Sequence, residues 1–250
     1  MNAHAVTEAF GTPVLECRGL MAGHGSVTVV RSLDLSLRES EVLALLGPNG
    51  AGKTTFMETL CGILPRMGGE VVLSGKTLPS GKPAAANKAG MVLVPDDRAL
   101  FTSLTTRENL QIARKSGGPS VDEMIALFPA LQKRLKVAAG ALSGGEQQML
   151  AVARGLVQRP KVLLVDEMSM GLAPVIVEEL LPVVRRIADE TRAAVILVEQ
   201  HVRLALEVAD QAMVIVHGDI QLSGPAKELA LDPARMEAAY LGELTASTAS

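Results

Sequence analysis

The nine residues GPNGAGKTT, at positions 47 to 55, restrict this chain more than any other stretch. They follow an aliphatic run, VLALL, and lead into apolar residues at helical spacing over 53–64. A strand, a glycine loop and a helix in that order fit G-x-x-x-x-G-K-[ST], a phosphate cradle. Glycines let backbone N–H groups converge on phosphate oxygens with no Cβ in the way. The helix N-terminus adds partial positive charge. Lys53 is placed to reach the β- and γ-phosphates, and the Thr54 hydroxyl to ligate Mg2+. Gly47, Pro48, Asn49, Gly50, Ala51, Gly52, Lys53, Thr54 and Thr55 are therefore expected to bind nucleotide.

KVLLVDE, residues 161 to 167, supplies the complement. An aliphatic strand ending in two acids exposes them at its carboxyl end, where ligands bind in open α/β sheets. Asp166 is expected to hold Mg2+, and Glu167 to take a proton from the attacking water. His201 follows the strand AAVILVEQ, again at a carboxyl end, and is expected to contact the γ-phosphate. His24, in AGHG, precedes the strand that feeds the loop and is either a turn histidine or a ligand.

A third stretch, ALSGGEQQ at 141 to 148, reads locally as a helix start. Ser143 and Glu146 have the capping-box spacing. Gly144 and Gly145 do not belong in such a start, since each costs roughly 1 kcal/mol against alanine inside a helix. Their use is expected to be close approach: with no Cβ, the N–H groups and the Ser143 hydroxyl can meet a phosphate.

Short aliphatic runs bounded by turn residues recur along the chain, at 27–30, 41–47, 70–75, 90–95, 161–167, 193–199 and 211–218. Helical patterns occupy 53–64, 146–156, 175–191 and 202–208. Runs apolar on both faces suit a buried parallel sheet, and their alternation with helices predicts an α/β fold. The early strands, before and after the first helix, predict an antiparallel β layer added to that core. Residues 98–157 hold no convincing strand and read as a helical insertion. Pro182 should kink the 175–191 helix or start its main segment. A single domain is expected over 13–243, with disorder over 1–12 and 244–250.

Composition narrows the function classes. A formal net charge of −3, with both signs interspersed, argues against a nucleic-acid binder that works by phosphate neutralisation. Cys17 and Cys61 lie far apart without metal-ligand spacing and read as small reduced core residues. The first residues lack the basic start and apolar run of a secretory signal. No apolar run approaches the ~20 residues needed to span a bilayer, so any membrane role is expected to come through a partner.

Together these motifs resemble the ATP-binding subunits of ABC transporters, from about residue 13 to 243. GPNGAGKTT resembles the family's Walker A motif, KVLLVDE its Walker B motif and LSGGEQQ its signature, which other P-loop ATPases lack. The resemblance implies a RecA-like P-loop NTPase core. It implies that Lys53 and Thr54 bind phosphates and Mg2+, that Asp166 supports the ion, and that Glu167 is the catalytic base. It identifies His201 with the switch histidine and SMGLAP, 169 to 174, with the D-loop at a dimer interface. Ser143, Gly144 and Gly145 would then meet ATP held by a second subunit. His24 falls where the family usually stacks a tyrosine on adenine; an imidazole stacks with less area.

Asp96, in VPDDRALF, stands where the family usually has glutamine. An ionised carboxylate only accepts hydrogen bonds, so its expected reach is to Mg2+ or the attacking water through a bridging water. An acidic residue there followed by R-x-L-F resembles the LivF branch, which serves importers of branched-chain amino acids and related amides or urea. LFPAL (127–131), GLAP (171–174), VEQHV (198–202) and AYLGE (239–243) are similar to that branch. The resemblance implies an ATPase subunit on the cytoplasmic face of a bacterial membrane. Its partners would be a second ATPase subunit head to tail, integral permease subunits and, indirectly, a solute-binding protein. An exposed Leu100 and Phe101 are expected to contribute to the permease-docking groove. DNA-repair relatives carry a long coiled coil between the Walker motifs and translation relatives carry two ATPase units; this chain has neither.

Overall fold

A computed structural model describes residues 12–243 of the 250-residue chain. Apart from residue 12, the terminal segments expected to be disordered lie outside the described residues.

The chain begins with a hairpin, β1 (Leu15–His24) and β2 (Val27–Leu37), followed by β3 (Val42–Leu46) and α1 (Lys53–Leu60). Next come β4 (Gly68–Leu73), β5 (Lys76–Thr77), α2 (Pro83–Ala89) and β6 (Met91–Val94). A helical stretch then holds α3 (Thr106–Ala113), α4 (Val121–Leu127), two 3-10 turns and α5 (Gly144–Leu156). The remainder is β7 (Val162–Val165), α6 (Pro174–Thr191), β8 (Ala194–Val198), α7 (Val202–Val208), β9 (Gln211–Val216), β10 (Asp219–Pro225), α8 (Ala226–Ala230) and α9 (Pro233–Leu241).

The strands form two sheets. One is antiparallel, in the order β2-β1-β4-β5; the other has six strands, β10-β9-β3-β8-β7-β6, parallel from β9 through β6. The doubly apolar runs explain this. In β3, Val42, Ala44 and Leu46 face the core shared with α5, α6 and α7, while Leu43 and Leu45 face the core under the antiparallel sheet. Successive side chains point to opposite faces, so a strand buried on both sides must be apolar throughout. Phe56, Met57 and Leu60 of α1 fill the second core between the sheets. Cys17 and Cys61 are free thiols buried there, and burial pushes the Cys61 thiol up to about 11.

The parallel core, the antiparallel layer and the helical stretch between β6 and β7 agree with the sequence reading. One alternative for Pro182 differs: it lies inside α6, which runs from Pro174 to Thr191, so it does not start that helix. Pro174 takes the first helical position, where a missing N–H costs nothing. Leu100 also differs. It is half-buried and packed against the main core, leaving Phe101 as the exposed apolar residue of its pair.

Residues 98–104 cross from the sheet to the helical stretch without regular structure, and the Asn109 side chain bonds them at several points. Asn109, fully buried on α3, accepts from the Phe101 N–H at 3.0 Å. Its amide donates to the carbonyls of Phe101, Leu104 and Thr105 at 3.0–3.2 Å. Asn109→Leu leaves the Phe101 N–H without its acceptor, at a cost of about 1–3 kcal/mol, while the three carbonyls keep backbone partners. Urea melts should register that loss, and limited proteolysis should cut the variant within 98–105 faster than the native chain.

Candidate functional site

The parallel ladder sets the site's geometry. β8 lies between β3 and β7, with Leu45 opposite Val198 and Val165 opposite Leu197. Adjacent strands lie about 4.8 Å apart. The segments leaving the carboxyl ends of β3, β8 and β7 therefore emerge side by side. They carry the glycine loop, Glu199–Gln200 and Asp166–Glu167.

The loop is shaped by positive backbone angles at Gly47 (φ 144), Gly50 (φ 78) and Gly52 (φ 104). Gly47 has no alternative: a Cβ there would lie 2.0 Å from the Ile215 carbonyl oxygen. Lys53 is buried, and its ammonium donates to the Gly47 and Pro48 carbonyls at 2.8 and 2.9 Å. Burial lowers its pKa, opposed by the charges of Glu167 and Asp166. Asn49, Gly50, Gly52, Lys53, Thr54 and Thr55 line a cleft whose far wall includes Glu167, Met170 and Gln200. His24, at the end of β1, lies 3.4 Å from the Thr55 hydroxyl, so the hairpin tip borders the same loop.

Asp166 and Glu167 leave β7 with their N–H groups bonded in opposite directions, Asp166 to Val94 of β6 and Glu167 to Val198 of β8. Glu167 adopts φ 43, an uncommon conformation for a side chain with a Cβ. Asp166 is 2% exposed, and burial raises its carboxyl to about 6 despite the Thr54 hydroxyl and the Lys53 charge. Its Oδ1 has no hydrogen-bond partner. An orphaned carboxylate oxygen beside a threonine hydroxyl at a phosphate loop fits the donor set of a hard divalent cation such as Mg2+. Among the described residues no cluster of three or more His, Cys, Asp or Glu forms a metal site by itself.

Asp96 is exposed just beyond β6; its Oδ1 accepts from the Asp97 N–H at 2.8 Å, and its charge is felt at Asp166. Arg98, two residues on, donates to the side-chain oxygens of Gln148 and Gln147, both at 2.9 Å. The segment after β6 is thereby fastened to α5. Sequence reasoning missed this link, because nothing in VPDDRALF marks which charged residue turns inward.

His201 is exposed at the start of α7, directly after Gln200, which lines the cleft wall. Glu199, the residue before Gln200, is fully buried. The Ser169 N–H donates to Glu199 Oε1 at 3.1 Å, and the Ser169 hydroxyl donates to Oε2.

The capping box at Ser143 forms as expected: its hydroxyl accepts from the Glu146 N–H, and Glu146 accepts from the Ser143 N–H at 2.9 Å. Arg134 bonds the same carboxylate at 2.7 Å and, together with the Ser143 groups, holds its pKa low. Ser143, Gly144 and Gly145 line a second concavity with Gly171, Leu172 and Ile176, and no residue is common to this wall and the Lys53 cleft. The glycines also have a use within the chain. A Cβ on Gly144 would sit 3.2 Å from Leu172, and one on Gly145 would sit 2.8 Å from Ile176.

A family model described as ABC transporter matches residues 30–170. The high-affinity branched-chain amino acid transport ATP-binding protein BraG of Pseudomonas aeruginosa is 34% identical over 224 residues, 88% of this chain and 95% of that protein. The probable branched-chain amino acid transport ATP-binding protein LivF of Archaeoglobus fulgidus is 34% identical over 84% of this chain and 91% of its own length. A crystal structure of a nucleotide-free ATP-binding cassette from an ABC transporter superposes with a TM-score of 0.75, covering 90% of this chain and 98% of that one at 23% identity. That last likeness speaks to the fold.

The Gly145 contact can be tested by a double-mutant cycle in chemical denaturation. Gly145→Ala should destabilise by about 1–3 kcal/mol through overpacking. In an Ile176→Ala background the same change should cost measurably less, since the clashing atom is gone.

Proposed function

The chain belongs to the ABC transporter family, and from that premise we propose that it is the ATP-hydrolysing subunit of a membrane importer for branched-chain amino acids. The observation that carries the ATPase reading is the shared edge of three parallel strands, where Lys53, Gln200 and the Asp166–Glu167 pair line or border one cleft. The solute class is supported by the names of the relatives above.

On this reading ATP enters with its triphosphate along the glycine loop. The Lys53 ammonium exchanges the Gly47 and Pro48 carbonyls for phosphate oxygens, and loop N–H groups take others. His24 borders the position of the base. Thr54 and Asp166 would hold Mg2+, which supplies charge neutralisation across the phosphates when bound. Glu167 accepts the proton of the attacking water. His201, the residue after Gln200 at the start of α7, contacts the γ-phosphate, and the Gln200 amide, which both accepts and donates, can bridge the attacking water to a phosphate oxygen. Asp96 lies at the margin, within electrostatic range of Asp166.

The signature residues Ser143, Gly144 and Gly145 open on a different surface from Lys53. This supports a head-to-tail pair in which each signature meets ATP held by the other subunit, a homologous or identical chain. The helical subdomain, about 98–157, is proposed to move on closure and to push permease subunits at the cytoplasmic face of the membrane. Among the described residues no helix is long and apolar enough to cross a membrane, so attachment would run through those subunits. Phe101, exposed and held 4.8 Å under the Arg154 guanidinium, is the proposed apolar contact.

Glu167→Gln should bind ATP and dimerise while losing nearly all phosphate release; ordinary turnover in that variant removes Glu167 as the base. His201→Ala should lower kcat by about 10–1000-fold, the range for losing a positioned group in the transition state. A native kcat in His201→Ala removes the histidine from the γ-phosphate. For the solute, a copurified binding protein should gain thermal stability from branched-chain amino acids and not from urea or amides.

A further inference from the structure

The motif AYLGE had no chemical role in the sequence reading, and its helix lies outside the family-model match at 30–170. α9 begins with Asp232 capping the Arg235 N–H at 3.0 Å and Pro233 at its first position, and ends at Gly242 with φ 71. Met236 and Ala239 bury its inner face in the main core. A helix stopped at both ends and packed along one side presents its last turn in a fixed place. From that turn the Tyr240 hydroxyl accepts a hydrogen bond from the Gly47 N–H at 3.1 Å. Gly47 is the first residue of the phosphate loop, just past the last ladder residue of β3.

Gly47 is thus held three ways. Its N–H is held by Tyr240, its carbonyl by Lys53, and its α-carbon sits against the Ile215 carbonyl with no space for a Cβ. Two of these holds are permanent features of the fold. The third is not, because the Lys53 ammonium is the group that must turn to phosphate. When it leaves, Tyr240 is the remaining side chain bonded to the Gly47 peptide. Its phenol is half-buried, and burial raises its pKa against the opposing bond from Gly47.

We propose that Tyr240 is a positioning residue for the nucleotide site: it holds the first peptide of the phosphate loop in place once Lys53 has been released to the phosphates. This rests on nucleotide binding at the loop, the reading given above. It makes the C-terminal helix, remote in sequence, a determinant of nucleotide affinity.

Tyr240→Phe removes one hydroxyl and keeps the ring in its apolar seat. With the full chain and Mg-ADP as the probe, calorimetry should give a Kd raised about two- to tenfold, the factor carried by one neutral hydrogen bond. KM for ATP should rise with kcat at saturation unchanged, a split that general loosening of the fold would not produce. An unaltered Kd and KM in Tyr240→Phe, with the native chain binding ADP normally, overturns the inference. Failure of the native chain to bind ADP overturns the nucleotide reading instead. A measurement on the unaltered protein covers a variant that does not fold. The chain has one tyrosine and no tryptophan, so its intrinsic fluorescence reports Tyr240 alone. Because the bond is kept, acrylamide should quench that emission no more strongly with saturating Mg-ADP than without it; a phenol uncovered by ADP overturns the inference.

Discussion

The arrangement depends on the in-register parallel pairing of β3, β8 and β7. A parallel ladder has no hairpins, so each strand's carboxyl end opens toward the same edge while the chain returns through a helix. Three strands apolar on both faces can satisfy neither face in water, and they fit only between the antiparallel layer and the helices. The hydrophobic demand of the core thereby sets the chemistry of its rim. Polar side chains begin where the strands leave the core, and those at three adjacent exits share one cleft.

Charge placement at this rim follows the same rule. Lys53 and Asp166 are both buried, and each is shifted toward its neutral form, chiefly by desolvation. Buried charges are tolerated where partners remain. Lys53 uses two loop carbonyls, whereas Asp166 keeps an oxygen without any partner. A fold that leaves a buried carboxylate oxygen unmatched is poised for a cation, and one that holds its lysine on its own loop has a ready exchange for phosphate. Glu199 is the contrasting case: equally buried, but fully engaged by the Ser169 N–H and hydroxyl, it ties the segment after β7 to the segment after β8.

The sequence made the parallel core and the phosphate loop legible because their signals are local: unbroken aliphatic runs, glycines at fixed offsets, acids at a strand end. β1 escaped notice because LECRGLMAGH mixes charged and apolar residues along a bulged strand, with Leu15, Cys17, Leu20 and Ala22 buried at irregular intervals. α9 carried legible marks, an Asp-Pro start and a glycine stop, but its contact with Gly47 spans most of the chain and has no local signature. That Gln200 lines the cleft was not legible either. Alternation is reliable within a strand and lapses where the strand ends, so pattern does not say which polar residues after β8 border it. Arg98 was hidden similarly, since its partners Gln147 and Gln148 come from a helix some fifty residues on.

The glycines of ALSGGEQQ bring these lines together. The sequence alone suggested that they clear space for a phosphate, and the helix start does face an open concavity. Within the chain they also admit Leu172 and Ile176, which follow the Asp166–Glu167 pair by only a few residues. The start of α5 is therefore in van der Waals range of the segment that leaves the acid pair, while Arg98 bonds its first turns to the segment that follows Asp96. Two strand exits, those of β6 and β7, bear on one helix N-terminus. Close packing transmits small displacements because interiors resist compression. Any shift of Asp96 or Glu167 on nucleotide binding must then be absorbed at Gly144, Gly145 and Gln147, or move α5. Side chains at 144 and 145 would fill that junction and hold the helix away from Leu172 and Ile176. The helix cost of the two glycines is offset by an undiluted contact between the acid pair's own segment and the start of α5.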